Sequence, residues 1–236
     1  MWDNKFIMWD NKLKAVTFSY DDGVEQDIRL SEILNRYGLK CTFNVNSQLI
    51  GSENRWDYKG VSVGRLSLSA LKKIYQGHEV AAHGCVHKNL KEASYDEAMA
   101  ELKQDKASLE KSFGCAVKGM AYAFGTYNPD VIQAAKDCGL GYARTVKTTQ
   151  RFDLPERPLE LAATCHHDDE RLFELADAFV CADPADPMLF YVWGHSYEFD
   201  GNKNWDRFEL FCEKIAGHPD ICYCTNAEAV IHEESL

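Results

Sequence analysis

KAVTFSYDDG, residues 14–23, is a mainly apolar run that ends in two carboxylates and a glycine. Residues 14–19 predict a buried β-strand, and Gly23 predicts a sharp bend after it, because glycine adopts positive φ at low cost. A solvated turn would have the same composition. Two adjacent carboxylates beside a bend can, however, also place one on a metal ion and the other beside the water that the metal holds.

The rest of the chain alternates strand-like runs with helical patterns, about seven times. Further strands are predicted at residues 41–45, 78–82, 117–122, 140–146, 188–193 and 221–224. Helices are predicted at residues 25–37, 69–76, 94–113, 129 to the stop at Gly139, 170–181 and 204–216. This order predicts an α/β fold with a parallel sheet covered by helices, either closed into a barrel or doubly wound.

Size and composition favour one catalytic domain. The chain has 236 residues, 45% of them hydrophobic, and no Pro/Gly/Ser-rich linker interrupts the alternation. The segment MWDNK occurs at residues 1–5 and again at 8–12. We therefore expect an N-terminal extension with a duplicated segment over residues 1–12, followed by a single domain over residues 13–236.

Charge and cysteine content narrow the partners and the compartment. A formal net charge of −11 disfavours nucleic acid and anionic membranes as partners. No apolar run approaches the roughly 18 residues that span a bilayer, and the N-terminus lacks the layout of a signal peptide. Nine cysteines without framework spacing suit a reducing compartment. We expect a soluble, cytoplasmic protein, although a leader removed earlier would leave the same sequence; the oligomeric state stays open.

His83 and His87 are spaced so that one helical turn or a tight loop would point both imidazoles at one ion. Together with Asp22 they form a set of two histidines and one carboxylate, which is common around catalytic divalent ions. A pair of polar loop residues is an alternative for the histidines. Non-haem iron oxygenases use the same ligand types, but in their usual sequence order the carboxylate lies close after the first histidine, so this alternative fits less well.

His195 follows the apolar run 188–194, and Asp21, Asp22, His83, His87, Phe124 and His195 all come just after predicted strands. In a parallel α/β fold the carboxyl ends of the strands meet at one rim. We therefore expect these residues to converge although they are far apart in sequence. An imidazole near its ordinary pKa of about 6.5 can hold and release a proton there, which favours a general acid over a buried structural histidine.

These motifs resemble the polysaccharide deacetylase family, which has the NodB-homology fold, a distorted (β/α) barrel, and contains metal-dependent hydrolases of acetylated sugars. The family's Thr-Phe-Asp-Asp-Gly segment is matched by residues 19–23, its His-Ser/Thr-x-x-His segment by residues 83–87, and its Leu-x-His motif by residues 193–195. The resemblance covers most of the chain from about residue 14. It implies a catalytic base at Asp21, a general acid at His195 and metal ligands at Asp22, His83 and His87.

Two other family motifs are altered. The Arg-x-Pro-x-Gly motif has its counterpart in residues 121–125, AYAFG, so that both its Arg and its Pro are missing. Arg144, at the end of the next predicted strand, is the candidate replacement for the Arg that orients the base. The backbone N–H of Phe124 can still serve the oxyanion, since this role needs no particular side chain. No Asp-x-x-Asp-Trp segment is found, and residues 165–167, CHH, are expected to form a solvated loop.

The resemblance implies removal of acetyl groups from N-acetylated or O-acetylated sugars, through attack by a metal-held water, with zinc as the first choice of divalent ion. A related hydrolase of a small amide or ureide would use the same centre under a closed cleft. The polar segment 46–65 would wall the cleft in the first case and cap it in the second. A carbohydrate-binding homologue whose catalysis has decayed is a third possibility, because the usual Arg is missing.

Overall fold

The computed structural model of the chain describes residues 9–231. Its strands are β1 (Lys14–Asp21), β2 (Cys41–Val45), β3 (Trp56–Tyr58), β4 (Val61–Val63), β5 (Glu79–Ala82), β6 (Gly119–Ala121), β7 (Tyr142–Thr148), β8 (Leu161–Ala163), β9 (Cys165–His166), β10 (Met188–Gly194) and β11 (Ile221–Tyr223). Its α-helices are α1 (Asp27–Arg36), α2 (Leu68–Ile74), α3 (Tyr95–Phe113), α4 (Pro129–Asp137), α5 (Leu172–Cys181), α6 (Tyr197–Asn202), α7 (Trp205–Ile215) and α8 (Asn226–Val230).

The main sheet is parallel, and its strands run in the order β8-β7-β6-β5-β2-β1-β10-β9, with β11 also paired to β1. The two ends of this order are neighbours in sequence, because a single residue, Thr164, separates β8 from β9. The Thr164 N–H donates to the Tyr191 carbonyl of β10 at 2.8 Å. Residues 161–166 therefore bridge β7 and β10. The predicted α/β fold with a parallel sheet and covering helices is confirmed, and the bridge is consistent with the distorted barrel that the resemblance implies; the sheet has nine strands.

Strand β1 lies in the middle of the sheet, between β2 and β10, and all eight of its residues are buried. Helices cover the sheet with their apolar faces. Phe18 of β1, for example, meets Phe208 and Phe211 of α7 in edge-to-face contacts with ring centroids 6.2 and 6.1 Å apart. Burying one such aromatic side chain contributes about 1.5–3 kcal/mol. The core thus fixes the position of β1, whose last residue is Asp21.

The helix boundaries follow local signals in the sequence. Ser94 and Glu97 form the predicted capping box at the start of α3, and Gly114 ends that helix with a left-handed φ of 72°. Pro129 is the first residue of α4, after an Asn128 side chain that accepts the Val131 N–H. Each predicted helix and strand agrees with an observed one within a few residues, because these caps act over one turn of chain. The short elements α6, α8 and β8 have no predicted counterpart.

Two stretches differ from the expectation of irregular loops. Residues 46–65 contain the antiparallel hairpin β3–β4, and residues 165–166 form the short strand β9, which pairs with β10. The prediction of a solvated loop at residues 165–167 is wrong, since Cys165 and His167 are buried. A strand of two residues is too short to leave a periodic pattern in the sequence.

The N-terminal extension falls partly outside the described residues, which begin at Trp9. Residues Trp9–Asn11 form a short 3₁₀ turn, and the Trp9 side chain is buried in a small cluster with Ala15 and Val230. The Lys12 ammonium group donates to the Ile221 carbonyl at 2.9 Å. Residues 9–12, the described part of the second MWDNK copy, therefore pack against the rest of the domain. None of the helices in residues 9–231 is long and apolar enough to cross a membrane.

Lys14 ties the first strand to the end of α5. Its buried ammonium group donates to the carbonyls of Val180 and Ala182 at 2.9 and 3.0 Å and pairs with Asp220 at 2.6 Å. Carbonyl groups at the end of a helix lack partners within the helix. The ammonium group of Lys14 thus satisfies acceptors that would otherwise be buried without hydrogen bonds.

We expect Lys14→Met to lower the free energy of unfolding by about 1–3 kcal/mol, because methionine fills the space but leaves these acceptors unpaired. Urea denaturation followed by circular dichroism measures the change. The matched control is Lys118→Met at an exposed position, which should stay within about 0.5 kcal/mol of the unaltered protein. Equal midpoints for both variants would contradict the assigned role of Lys14.

Candidate functional site

The site begins where β1 ends. Asp21 is the last residue of the strand, and Asp22 has a φ of 82°, a left-handed conformation that is unusual for a residue with a side chain. The Asp22 N–H donates to the Asn44 carbonyl of β2 at 3.0 Å, and Gly23 continues the bend with a φ of 67°. Such strain costs on the order of 1–3 kcal/mol and is typical of functional sites. The bend lets two adjacent carboxylates serve different neighbours.

His83 follows β5, and its hydrogen bonds define which ring nitrogen carries the proton. Nδ1 lies 2.8 Å from the Ala121 carbonyl, which can only accept, so Nδ1 donates. Nε2 is then left with its lone pair, and this buried atom has no hydrogen-bond partner among the described residues. An imidazole held in this way by a carbonyl is typical of a metal ligand.

His87 and Asp22 complete the cluster. One ligand atom from each of Asp22, His83 and His87 lies within 4.8 Å of the other two. The His87 Nε2 is 3.9 Å from an Asp22 oxygen, and its φ of 57° turns the ring towards His83, with centroids 4.8 Å apart. Burial, together with His83, lowers the pKa of His87 and keeps its ring neutral, as metal binding requires. The three residues fit a divalent metal that needs two nitrogens and one oxygen.

Asp21 has a different set of neighbours. The Arg144 guanidinium of β7 contacts Asp21 Oδ2 through Nη2, and the Asn44 amide donates to Oδ1 at 2.8 Å. Only 3% of the Asp21 side chain and 1% of the Arg144 side chain are exposed. Burial by itself raises the pKa of Asp21, but Arg144, with His83 and His195, outweighs it and lowers this pKa to about 2. Asp21 is therefore ionised across the neutral range.

Arg144 itself is held by an aromatic ring. The guanidinium carbon lies 4.5 Å from the centroid of the Trp193 ring in β10. The other guanidinium nitrogen, Nη1, donates to the Thr145 carbonyl at 3.2 Å. The structure thus brings Arg144, which no family motif specifies, to the carboxylate that the missing Arg of residues 121–125 would have oriented.

His195 follows β10, and 21% of its side chain is exposed. Its Nε2 lies 3.7 Å from Asp21 Oδ2, and its Nδ1 lies 3.4 Å from Glu198 Oε1. Burial lowers the pKa of His195, but Glu198 and Asp21 outweigh this effect and raise it to about 9. The ring can therefore be protonated at neutral pH.

Phe124 lies beside His87, in a short turn after β6. Its backbone is left-handed, with a φ of 58°, and 60% of the residue is exposed. The ring contacts His87 at a centroid distance of 4.4 Å. The residues predicted for the site therefore lie around Asp21 and Asp22, at or after the carboxyl ends of strands, with one exception. Arg144 was expected at the end of its strand but lies inside β7, where it pairs with Ala121, the last residue of β6.

Three further residues at the site have no counterpart in the sequence prediction. The Arg65 guanidinium lies 3.4 Å from Asp22 Oδ1 and stacks on Trp56 of the β3–β4 hairpin. Glu198 contacts both His195 and His166, and His166 lies in β9. A glutamate three residues after a histidine at a helix start was visible in the sequence, but its partner His166 comes from a distant segment and left no local signal.

The β3–β4 hairpin stands beside the site. Its Trp56 and Tyr58 rings meet the Tyr197 ring of α6 with centroids 5.6 and 5.1 Å apart. Tyr197 in turn lies 5.1 Å from the His195 ring. The hairpin therefore reaches the site through Tyr197, while Phe124, His87 and His195 keep exposed surface.

Several solved structures share this fold. The CE4 domain of a multidomain xylanase from the hindgut metagenome of Trinervitermes trinervoides is 16% identical, with a TM-score of 0.58 over 92% of this chain and 89% of that one. A CE4 family pseudoenzyme from Bacillus anthracis is 19% identical, with a TM-score of 0.56 over 87% and 63%. The Streptococcus pyogenes deacetylase PplD, in complex with acetate, is 27% identical, with a TM-score of 0.49 over 55% of each chain.

The chain thus spans 55% of the streptococcal protein and 63% of the Bacillus protein. None of the curated proteins matches it. The family model described as polysaccharide deacetylase matches residues 10–143, more than half of the 236 residues. This match contains the Asp21-Asp22 pair, both histidines of the ligand cluster and Phe124. The chain therefore belongs to the polysaccharide deacetylase family.

Proposed function

We propose that this protein is a metal-dependent hydrolase that removes acetyl groups from acetylated sugars. The observation that carries the proposal is the cluster of Asp22, His83 and His87, in which the buried His83 Nε2 has a free lone pair, next to an ionised Asp21. Membership of the polysaccharide deacetylase family supports the same reaction.

The ligand cluster would hold the metal, and zinc is the ion that we propose first. A zinc ion bound there would lower the pKa of a water to about 7 and polarise the acetyl carbonyl. Asp21 accepts a proton from the attacking water, because Arg144 and Asn44 keep its carboxylate ionised and oriented. The backbone N–H of Phe124 donates to the oxyanion, and His195 donates a proton to the departing nitrogen or oxygen.

A binding protein without catalysis is the second candidate, since one structural relative is described as a pseudoenzyme. The features of this chain favour an enzyme. Asp21 has a guanidinium partner although residues 121–125 lack the family Arg, and His195 has a raised pKa suited to donating a proton. Loss of catalysis would leave no reason to keep both a paired base and a paired acid.

The shape of the site favours a sugar over a small amide or ureide. Phe124 is 60% exposed and 21% of the His195 side chain is exposed although the hairpin β3–β4 stands beside the site, so that a substrate larger than the acetyl group has room. Exposed aromatic rings such as Phe124 can also stack on sugar rings. All nine cysteines are free thiols, which supports a reducing compartment, and we propose the cytoplasm.

The first test is metal content. We expect His83→Ala to reduce bound zinc from about one ion per chain to a small fraction, because one of three protein ligands is lost. Elemental analysis after dialysis against buffered zinc measures this. Zinc should also raise the melting temperature of the unaltered protein but not of the variant. The control His218→Ala, far from the cluster, should bind zinc normally; full zinc in His83→Ala would contradict the proposed ligand set.

The second test separates proton transfer from metal binding. Asp21→Asn keeps the shape of the side chain but cannot accept a proton, so we expect normal zinc content and a loss of turnover of about 10²–10⁴-fold. Acetate release from a chitin oligosaccharide, measured on the sample used for metal analysis, decides the matter. Turnover close to that of the unaltered protein would remove Asp21 from the reaction.

The third test concerns Arg144. Without its guanidinium, burial dominates and the pKa of Asp21 rises from about 2 towards neutrality. Since the base works only when it is ionised, the rate of Arg144→Met should fall further behind that of the unaltered protein as pH decreases from about 8 to about 5. Arg151→Met, which alters an exposed pair with Asp153, should give a pH-independent ratio. A ratio that stays constant for Arg144→Met would exclude the pairing from catalysis.

A further inference from the structure

Glu198 lies one helical turn after His195, in the first turn of α6, and several hydrogen-bond donors surround its carboxylate. Its Oε2 accepts the His195 backbone N–H at 3.0 Å and lies 3.0 Å from His166 Nε2. Its Oε1 lies 3.4 Å from His195 Nδ1. Only 15% of the side chain is exposed. Although burial raises its pKa, the hydrogen bonds of His166 and His195 hold this pKa far below its ordinary value, so Glu198 is ionised.

His166, His195 and Glu198 have the residue types of a metal site, but the hydrogen bond on His166 argues against one. The Asp168 backbone N–H donates to His166 Nδ1 at 3.2 Å, so the proton of the neutral ring is on Nε2. Nε2 therefore faces Glu198 as a donor. His83 shows the opposite arrangement, with a carbonyl on Nδ1 and a lone pair on Nε2. The two histidines are thus built for different tasks.

The remaining nitrogen is His195 Nδ1. It is buried and has no hydrogen bond of ordinary length within residues 9–231, and the Glu198 carboxylate at 3.4 Å is the acceptor that faces it. Catalytic hydrogen bonds are often long before substrate binds and shorten in the complex. A proton on Nδ1 directed at Glu198 leaves Nε2 on the side of Asp21, 3.7 Å from its carboxylate.

We propose that Glu198, held in place by His166, is the positioning residue that fixes the orientation and protonation of His195. The inference rests on the proposed function. Glu198 would provide the carboxylate partner of His195 in a chain that has no Asp-x-x-Asp-Trp segment. When the bond between the acetyl carbon and the nitrogen breaks, the water has given one proton to Asp21 and its oxygen to acetate. The His195 Nε2 proton passes to the amine, and Nδ1 keeps its proton against Glu198.

The proposal predicts a dependence on the leaving group. An amine or an alkoxide leaves poorly unless it is protonated, whereas 4-nitrophenolate leaves without a proton donor. We expect Glu198→Gln to lower kcat for N-acetylated chitotetraose by about 10²-fold or more, and kcat for 4-nitrophenyl acetate by about tenfold or less. Zinc content should match that of the unaltered protein. The control Glu174→Gln, at an exposed pair with Arg171, should leave both rates within about twofold.

Variants of His166 provide a second, independent comparison. His166→Gln keeps an N–H donor for Glu198, whereas His166→Leu removes it. We expect the leucine variant to show a smaller loss of the same kind, selective for the amide substrate, and the glutamine variant to recover most of the activity. Equal losses on both substrates in Glu198→Gln and His166→Leu, with normal zinc, would reduce the pair to a structural role and overturn the inference.

One measurement does not depend on turnover. In protein labelled with ¹⁵N-histidine, the His195 Nδ1 signal should show a proton in a hydrogen bond, and Glu198→Gln should shift that signal. An unchanged His195 signal would overturn the inference even in an active enzyme. If the unaltered protein binds zinc but releases acetate from no substrate, the proposed function fails, and the His195 signal alone then decides the role of Glu198.

Discussion

The buried ion pair between Asp21 and Arg144 is the constraint on which the site depends. A carboxylate that is 3% exposed is not ionised without a countercharge, and removing one partner of such a pair costs about 3–5 kcal/mol. The pair joins β1 to β7, on opposite sides of β2, β5 and β6 in the sheet order. It can form only in a sheet curved enough to bring these strand ends together. Curvature of the sheet and ionisation of Asp21 are therefore two aspects of one structural requirement.

The histidines at the site differ in the hydrogen-bond partner of Nδ1, and this partner determines whether the ring binds an ion, donates a hydrogen bond or carries a charge. A carbonyl on Nδ1 makes His83 an electron-pair donor, an N–H on Nδ1 makes His166 a proton donor, and a carboxylate near Nδ1 stabilises the protonated form of His195. The partners of His83 and His166 come from the backbone, and the partner of His195 is the carboxylate of Glu198 in the first turn of α6. The same residue type thus fits the three roles proposed here, those of metal ligand, support and acid, according to the partner of its second nitrogen.

How far the sequence could predict this structure depends on the range of each interaction. Strand β1 and the capping box of Ser94 follow from patterns within one element, and they were predictable. The convergence at the rim was predictable too, because strands that alternate with helices form a parallel sheet whose carboxyl ends meet. The closure through residues 161–166 was not, because it depends on pairing with two strands distant in the chain. For the same reason the contact between Glu198 and His166 was missed, whereas Arg144 could be suggested from its place in the strand that follows residues 121–125.

The departures from the family motifs are physically linked. In this chain the arginine lies in β7, and its buried guanidinium stacks on an aromatic ring. That ring belongs to Trp193, which stands in the place of the usual Leu. At Gly194 a side chain would collide with the His167 ring, whose Nδ1 would be 2.1 Å from its first atom. His167 packs instead between Tyr20 and Phe199, and burial lowers its pKa to about 4, so the ring stays neutral. A chain that had only lost catalysis would accumulate changes independently. In this chain the arginine in β7 and the tryptophan at residue 193 depend on each other, because the indole ring covers the guanidinium that pairs with Asp21.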